Sequence, residues 1–89
     1  MGYKALVTLD IPATKEQRDI FYKSLERNKW AKISSLTTAW KVYFLDTVSR
    51  DIGIKALERH LATSKTESKV NKVEYAFQLD AFDIVINTN

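Results

Sequence analysis

The stretch YKALVTLDIP at residues 3–12 decides the fold of this 89-residue chain. Its odd-numbered positions from Tyr3 to Ile11 are all apolar or aromatic, whereas polar residues such as Asp10 stand at even positions. Alternation with a period of two is typical of a half-buried strand. Pro12 ends the strand because proline has no backbone N–H to donate to a sheet. The first predicted element is therefore a strand over Tyr3–Ile11.

A helix-capping motif follows this strand. Thr14 is a preferred N-cap residue, and Gln17 three positions later completes a capping box. Phe21 and Leu25 then fall on one side of a 3.6-residue period, so the pattern predicts an amphipathic helix. We expect Asn28-Lys29 to end it.

The rest of the chain alternates between the same two periodicities. The predicted elements are a strand over Trp30–Ile33, a turn at Ser34-Ser35, a strand over Thr37–Leu45, a helix over Arg50–Ser64 capped by Ser49, a strand carrying Val73, Tyr75, Phe77 and Leu79, and a short fifth strand over Ile84–Ile86.

The order β-α-β-β-α-β predicts an α+β, ferredoxin-like fold. In that fold an antiparallel sheet carries two helices on one face, because right-handed crossovers place both helices on the same side. At this length we expect a single domain, residues 1–89. The strand residues predicted to face the helices are Val7, Leu9, Trp40, Val42, Phe44, Tyr75 and Phe77.

Composition excludes several classes of protein. The chain has no cysteine, so disulfides and thiolate metal sites are excluded. No apolar run approaches the roughly 20 residues that span a membrane, so no membrane partner is expected. A small domain without disulfides fits a reducing compartment, and we expect a cytoplasmic protein.

The charged residues are unevenly distributed along the chain. Residues 1–72 contain all fourteen Lys and Arg with eight acidic residues, a net charge of +6, and the remaining residues contain three acids and no base. This skew is typical either of a basic face that meets phosphate or of an ordinary solvated surface. Acidic residues are interleaved with the basic ones, so paired charges on a helix surface are the alternative. The candidate nucleic-acid contacts lie on and just after the first helix: Arg18, Lys23, Arg27, Lys29 and Lys32.

Asp10 is the candidate catalytic and metal-binding residue. A carboxylate at the end of the first strand can bind a divalent cation, particularly if a two-fold axis brings a second copy close. The alternative is an Asx-type turn or cap. No His, Cys or carboxylate cluster has metal-ligand spacing, and no glycine-rich loop is present to bind phosphate. We interpret His60, beside Arg59, as a solvated helix residue, and the residues themselves do not independently indicate an enzyme or any cofactor beyond that cation.

The predicted sheet face opposite the helices is mixed in polarity. RNA-binding sheets of this kind carry stacked aromatics on their central strands, and here Tyr43 alone stands where stacking would work. We therefore interpret the face as a surface that packs against a second copy. The apolar C-terminal strand, predicted at an edge, also favours exchange into a partner's sheet, so a homodimer is expected.

Two short stretches carry a resemblance to known families. Val7-Thr8-Leu9-Asp10-Ile11-Pro12, and Lys29-Trp30-Ala31-Lys32-Ile33 after the helix, resemble the GhoS-type antitoxins and the related small CRISPR-associated spacer-acquisition proteins. The resemblance implies a ferredoxin-like core, a dimer completed by a C-terminal strand, and an RNA-directed endoribonuclease or an inactive relative. It gives Asp10 the role of metal-binding carboxylate. Lys23 matches the position of an important arginine of the antitoxins, and Leu9 stands where an aromatic residue usually precedes the Asp.

Three functional hypotheses remain open. The first is a dimeric protein that contacts RNA or DNA, in the manner of an antitoxin or a CRISPR-related, metal-dependent endoribonuclease. The second is a non-enzymatic regulator or inhibitor, bacterial or phage, that binds another protein. The third is a small-molecule enzyme of the dimeric αβ-barrel type, which requires a polar pocket at the sheet face, and the sequence does not indicate one.

Overall fold

The computed structural model describes residues 2–33 and 38–80. Its elements follow the predicted order β-α-β-β-α-β. The predicted turn at Ser34-Ser35 and the fifth strand over Ile84–Ile86 lie outside the described residues. The elements are β1 (Lys4–Asp10), α1 (Lys15–Arg27), β2 (Ala31–Lys32), β3 (Ala39–Tyr43), α2 (Arg50–Ser68) and β4 (Glu74–Asp80).

The four strands form one antiparallel sheet in the order β2-β3-β1-β4. The first strand lies at the centre, with Val7 opposite Trp40 of β3 on one side and opposite Phe77 of β4 on the other. This order is consistent with a ferredoxin-like arrangement, and the predicted α+β fold class is confirmed.

Both helices cover the same face of the sheet. Phe21 of α1 and Leu57 of α2 are fully buried in one apolar cluster with Val7 and Trp40. Tyr75 was predicted to be part of this core, and it does stand opposite Leu9 on the helix-facing side. Its side chain is nevertheless 46% exposed. It lies on a strand whose one neighbour among the described strands is β1, so one flank has little to pack against.

The two ends of α1 are both capped. The hydroxyl of Thr14 accepts from the backbone N–H of Gln17 at 3.2 Å, and the Gln17 carboxamide accepts from the Thr14 N–H, also at 3.2 Å. This confirms the predicted capping box. At the other end, Lys29 adopts a φ of 70° and the Trp30 N–H bonds the Leu25 carbonyl at 3.1 Å. That is the Schellman arrangement, in which a left-handed residue lets the chain turn back onto the helix.

The second helix is longer than predicted. It continues past Ser64 to Ser68 and ends at Lys69, which has a φ of 60°. The prediction was wrong because serine and threonine favour helix ends in water. Here Ser64 and Ser68 are buried, the Ser64 hydroxyl donates to the Ser24 hydroxyl at 2.8 Å and the Ser68 hydroxyl to the Ser64 carbonyl at 2.7 Å, so both hydroxyls have partners in the helical conformation.

The second and third strands are shorter than predicted. The Trp30 N–H is used by the end of α1, so β2 begins only at Ala31. In the third strand the regular pairing stops at Tyr43, although Phe44 still donates to the Tyr3 carbonyl at 2.9 Å.

Gly53 explains how α2 approaches the sheet. A Cβ atom at this position would lie 3.3 Å from a methyl carbon of Leu79 in β4. The glycine costs helix propensity, but it permits close contact between helix and strand.

Candidate nucleic-acid interface

Two of the five predicted contact residues are free to bind an external anion. Lys23 lies on the exposed side of α1, and Lys29 is exposed immediately after that helix. Neither side chain makes an ion pair, hydrogen bond or ring contact within the part of the chain that the structure describes. Because an ammonium group without a partner keeps its full charge for a ligand, these two lysines are the strongest candidates.

The other three predicted residues have intramolecular partners. The Arg18 guanidinium donates to the Ala13 carbonyl at 2.6 Å and is partly buried. Arg27 forms an ion pair with Glu67 of α2. The ammonium of Lys32 lies 5.4 Å from the ring centroid of Tyr22, a cation–π contact. The five residues therefore lie near one another in the fold but are not equally available.

The net positive charge of the protein belongs to one of its two layers. We define the helix layer as residues 15–30 and 50–72 together with Lys32 of β2, whose ammonium lies over Tyr22 of α1; these contain twelve basic and six acidic residues, a net charge of +6. The opposite surface, the open sheet face, carries two lysines and three carboxylates, a net charge of −1. The open sheet face is formed by Lys4, Leu6, Thr8, Asp10, Ala31, Ala39, Lys41, Tyr43, Glu74, Ala76, Gln78 and Asp80.

The α1 part of the helix layer contains a shallow groove of about 540 Å³. Ile20, Lys23, Glu26 and Arg27 line it. Ile20 is 45% exposed. The groove therefore combines one apolar contact with two cations and one carboxylate.

The sequence analysis missed the contribution of α2 to this charge. Lys55, Arg59 and Lys65 of α2 have no ion-pair partner among the described residues. These three residues are far along the chain from α1, so a candidate group made of residues close in sequence to α1 does not include them. The signal that could have found them is the fold itself, since two helices on one face of a sheet add their charges.

Asp10 lies at the end of β1 on the open sheet face. It is exposed and stands directly opposite Glu74 of β4. Both carboxylates line a groove of about 370 Å³, together with Thr8 and Thr38. Leu9, Tyr75 and Ala76 also line it, so the groove is mixed in polarity and is not the polar pocket that a small-molecule enzyme would need at this face.

The residues around Asp10 do not complete a divalent-cation site. Glu74 is already paired with Lys72 at 2.8 Å. The described residues include no group of three or more potential metal ligands. Calcium takes 6–8 oxygen ligands and magnesium demands an octahedral shell, so a pair of carboxylates of which one is engaged does not provide the coordination.

His60 corrects another expectation, because it is not a freely solvated residue. Its ring is half-buried, and Nδ1 accepts a hydrogen bond from Trp30 Nε1 at 2.9 Å. Burial, with the charge of Arg59 second, lowers the pKa of His60 below its ordinary value of 6.5. The imidazole is therefore neutral in the folded protein at pH 7 and acts as an acceptor that joins α2 to the chain after α1.

Comparisons with known proteins add information on the fold alone. No family model matches the chain, and no curated protein matches it. The crystal structure of protein SP2199 from Streptococcus pneumoniae is similar, with a TM-score of 0.59 and 11% sequence identity over 94% of this chain and 90% of that chain. The chain therefore shares its α+β architecture with that streptococcal protein.

Neither of the two described helices has the length and the apolar composition of a membrane span.

Proposed function

We propose that this protein contacts nucleic acid through its helix layer, as expected of an antitoxin-like or CRISPR-related protein. The observation that carries the proposal is the separation of charge, +6 on the helix layer against −1 on the open sheet face. Lys23 and Lys29 supply cations without internal partners. When such cations neutralise phosphates, they displace the counterions condensed on the nucleic acid. The release of these counterions favours binding.

Charge reversal on either layer tests this proposal. We expect Lys23→Glu to weaken binding to RNA or DNA by about tenfold at about 50 mM salt, because one phosphate contact becomes a repulsion. The matched control is Lys41→Glu, which changes the net charge equally but on the open sheet face. Fluorescence anisotropy with a labelled oligonucleotide measures both. Equal losses for the two variants would contradict a site on the helix layer.

Cleavage of RNA at Asp10 is a second part of this proposal and needs its own test. Asp10 lies on the open sheet face and not on the helix layer, so an RNA bound to the helix layer would have to pass around the end of the sheet to reach Asp10. The described residues do not complete a metal site at Asp10. If the protein does cleave RNA and Asp10 is the catalytic residue, Asp10→Asn abolishes cleavage while binding remains; retained cleavage removes Asp10 from the role.

The protein is proposed to act as a homodimer. Support comes from β4, a seven-residue strand with β1 as its one neighbour among the described strands, and from the small side chains Thr8, Ala39 and Ala76 across the middle of the open sheet face. Such a strand can pair with a copy of itself. Light scattering across a range of concentrations measures the mass, and a monomer at all concentrations would contradict the dimer.

A second candidate function is the binding of another protein, as a regulator or inhibitor. The specific observation in its favour is Ile20, a large apolar side chain exposed in the α1 groove beside Lys23. The two functions differ in their salt response. Phosphate binding weakens steeply between about 50 and 200 mM salt, whereas contact centred on an apolar residue changes little.

A further inference from the structure

We infer that the nucleic acid recognised by the helix layer is a double strand held by its phosphates, not a single strand. This inference rests on the proposed function, because it names the class of nucleic acid for the same surface. It follows from where the aromatic side chains lie relative to the positive charge.

Exposed aromatic side chains are scarce where this protein carries its positive charge. Surfaces that bind single strands combine a positive groove with exposed aromatics on which successive bases stack. Among the described residues, the large aromatics with substantial exposure are Tyr43 and Tyr75, at 58% and 46%, and both lie on strands of the sheet. Tyr43 belongs to the open sheet face, where the net charge is −1, and the Lys41 ammonium already lies 5.8 Å from its ring centroid. Tyr75 stands on the helix-facing side of β4 and lines a groove with Lys65 of α2, but its ring is already stacked on Phe77 with the centroids 6.2 Å apart. A single strand on the helix layer would therefore find cations and this one ring, but no row of aromatics for successive bases.

The aromatic side chains of the helix layer are buried or already in contact with other side chains. In α1, Phe21 is fully buried, and the partly buried Tyr22 has its ring centroid 5.4 Å from that of Trp40. The Lys32 ammonium lies over the same Tyr22 ring. The second helix contains no Phe, Tyr or Trp at all. No free ring is thus left on the two helices to receive a base.

Without stacking, the affinity for a nucleic acid depends on how closely its phosphate charges are spaced. A duplex presents one negative charge per about 1.7 Å of its axis, about twice that of one strand alone. The free cations of the helix layer, among them Lys23 on α1 and Arg59 on α2, are on long side chains that can each reach a phosphate. The 19 residues of α2 span about 28 Å, comparable to about eight base pairs. The same surface therefore gains more from a duplex than from either strand.

The test compares one labelled strand of about 20 nucleotides with its own duplex, using the full chain and fluorescence anisotropy at about 50 and 200 mM salt. We expect the duplex to bind about tenfold or more tightly, with a slope of log affinity against log salt of about −2 to −4. Binding of the single strand with equal or higher affinity would overturn the inference and leave the proposed function standing. Binding of neither probe at the lower salt would overturn both.

Two variants separate charge from stacking. Lys29→Gln removes a free cation, and we expect it to weaken duplex binding about threefold and to reduce the salt slope by about one. Tyr43→Ala removes the most exposed tyrosine, and we expect duplex affinity to stay within about twofold. A larger loss for Tyr43→Ala than for Lys29→Gln would show that stacking on the sheet contributes, and would overturn the inference.

Discussion

Two hydrogen bonds that hold α2 against α1 and the residues just after it differ in burial and in chemistry. Near the middle of the pair, the Ser64 hydroxyl donates to the Ser24 hydroxyl at 2.8 Å, and both residues are almost fully buried. Near the end of α1, Trp30 Nε1 donates to Nδ1 of the half-buried His60 at 2.9 Å. The serine contact stays neutral at every pH near 7, whereas the histidine contact exists only while the imidazole is uncharged.

This difference shows how position decides what a polar contact contributes. A buried hydroxyl that loses its partner has no water to replace it, so the serine pair is costly to break but indifferent to conditions. The histidine lies closer to solvent, so its contact is cheaper to break and depends on pH. The serine contact fixes α1 against α2 and the histidine contact fixes the chain just after α1 against α2, so together they fix the spacing of the cations on the helix layer.

The largest expected effect on stability comes from Trp30, the donor in the histidine contact. Trp30→Ala removes a side chain that is 3% exposed, and we expect it to lower the free energy of unfolding by about 3–5 kcal/mol. Trp30→Phe keeps most of the packing and removes the indole N–H, with an expected loss of about 0.5–1 kcal/mol, because the half-buried acceptor of His60 is near solvent. Urea denaturation followed by circular dichroism measures both. Equal losses for the two variants would mean that the hydrogen bond, and not the packing, dominates.

The serine pair is expected to give the next largest effect. Ser24→Ala and Ser64→Ala should each cost about 1–2 kcal/mol, because each leaves one buried hydroxyl without its partner. The double variant should cost less than the sum of the two, since no hydroxyl is then left unpaired. Exposed Thr63→Ala, one position from Ser64, is the control and should change stability by less than about 0.5 kcal/mol. Strict additivity would contradict the coupling.

The histidine contact predicts a pH dependence that the serine contact lacks. Because the pKa of His60 is lowered on folding, the unfolded chain binds the proton more tightly. Stability is therefore complete above about pH 6.5 and decreases as the pH falls through that value towards the lower pKa of the folded state. Denaturation midpoints measured between about pH 7.5 and 5.5 follow this change. His60→Asn keeps a side-chain acceptor without this titration, so an unchanged decrease in that variant would assign the effect to other groups.

The smallest effect on stability is expected at the exposed ion pair between the helices. Arg27 and Glu67 have side chains that are 66% and 38% exposed, so Glu67→Gln should cost less than about 0.5 kcal/mol. It also frees Arg27, so nucleic-acid affinity should increase about threefold at about 50 mM salt. Glu58→Gln, on the same helix and with no ion-pair partner in the described chain, is the matched control. Equal gains from both variants would show that only net charge matters.

Local patterns in the sequence were sufficient to predict most of the fold. The alternation in β1, the capping box at Thr14 and the stop at Asn28-Lys29 each depend on residues close together in the chain, and all are present in the structure. The end of α2 was missed because Ser64 and Ser68 owe their helical state to burial against another element. A pattern within one segment does not contain that information.

The candidate site was harder to predict than the fold, for a related reason. Charge type along the chain identified Lys23 and Lys29 correctly as basic and exposed, but it gave equal weight to Arg18 and Arg27. Their partners, the Ala13 carbonyl and Glu67, become visible only in three dimensions. The contact between Trp30 and His60 likewise joins residues 30 positions apart, beyond the reach of any local pattern.

The left-handed lysines that follow the helices have a consequence for protein engineering. Lys29 and Lys69 hold positive φ angles of 70° and 60°, where glycine is the favoured residue and another side chain costs about 1 kcal/mol. A search for thermostable variants should therefore select glycine at both positions. Under the proposed function, such a search would remove the cation of Lys29 from the surface and produce a sturdier protein that binds less well. Selection for heat resistance alone would thus work against the activity it is meant to preserve.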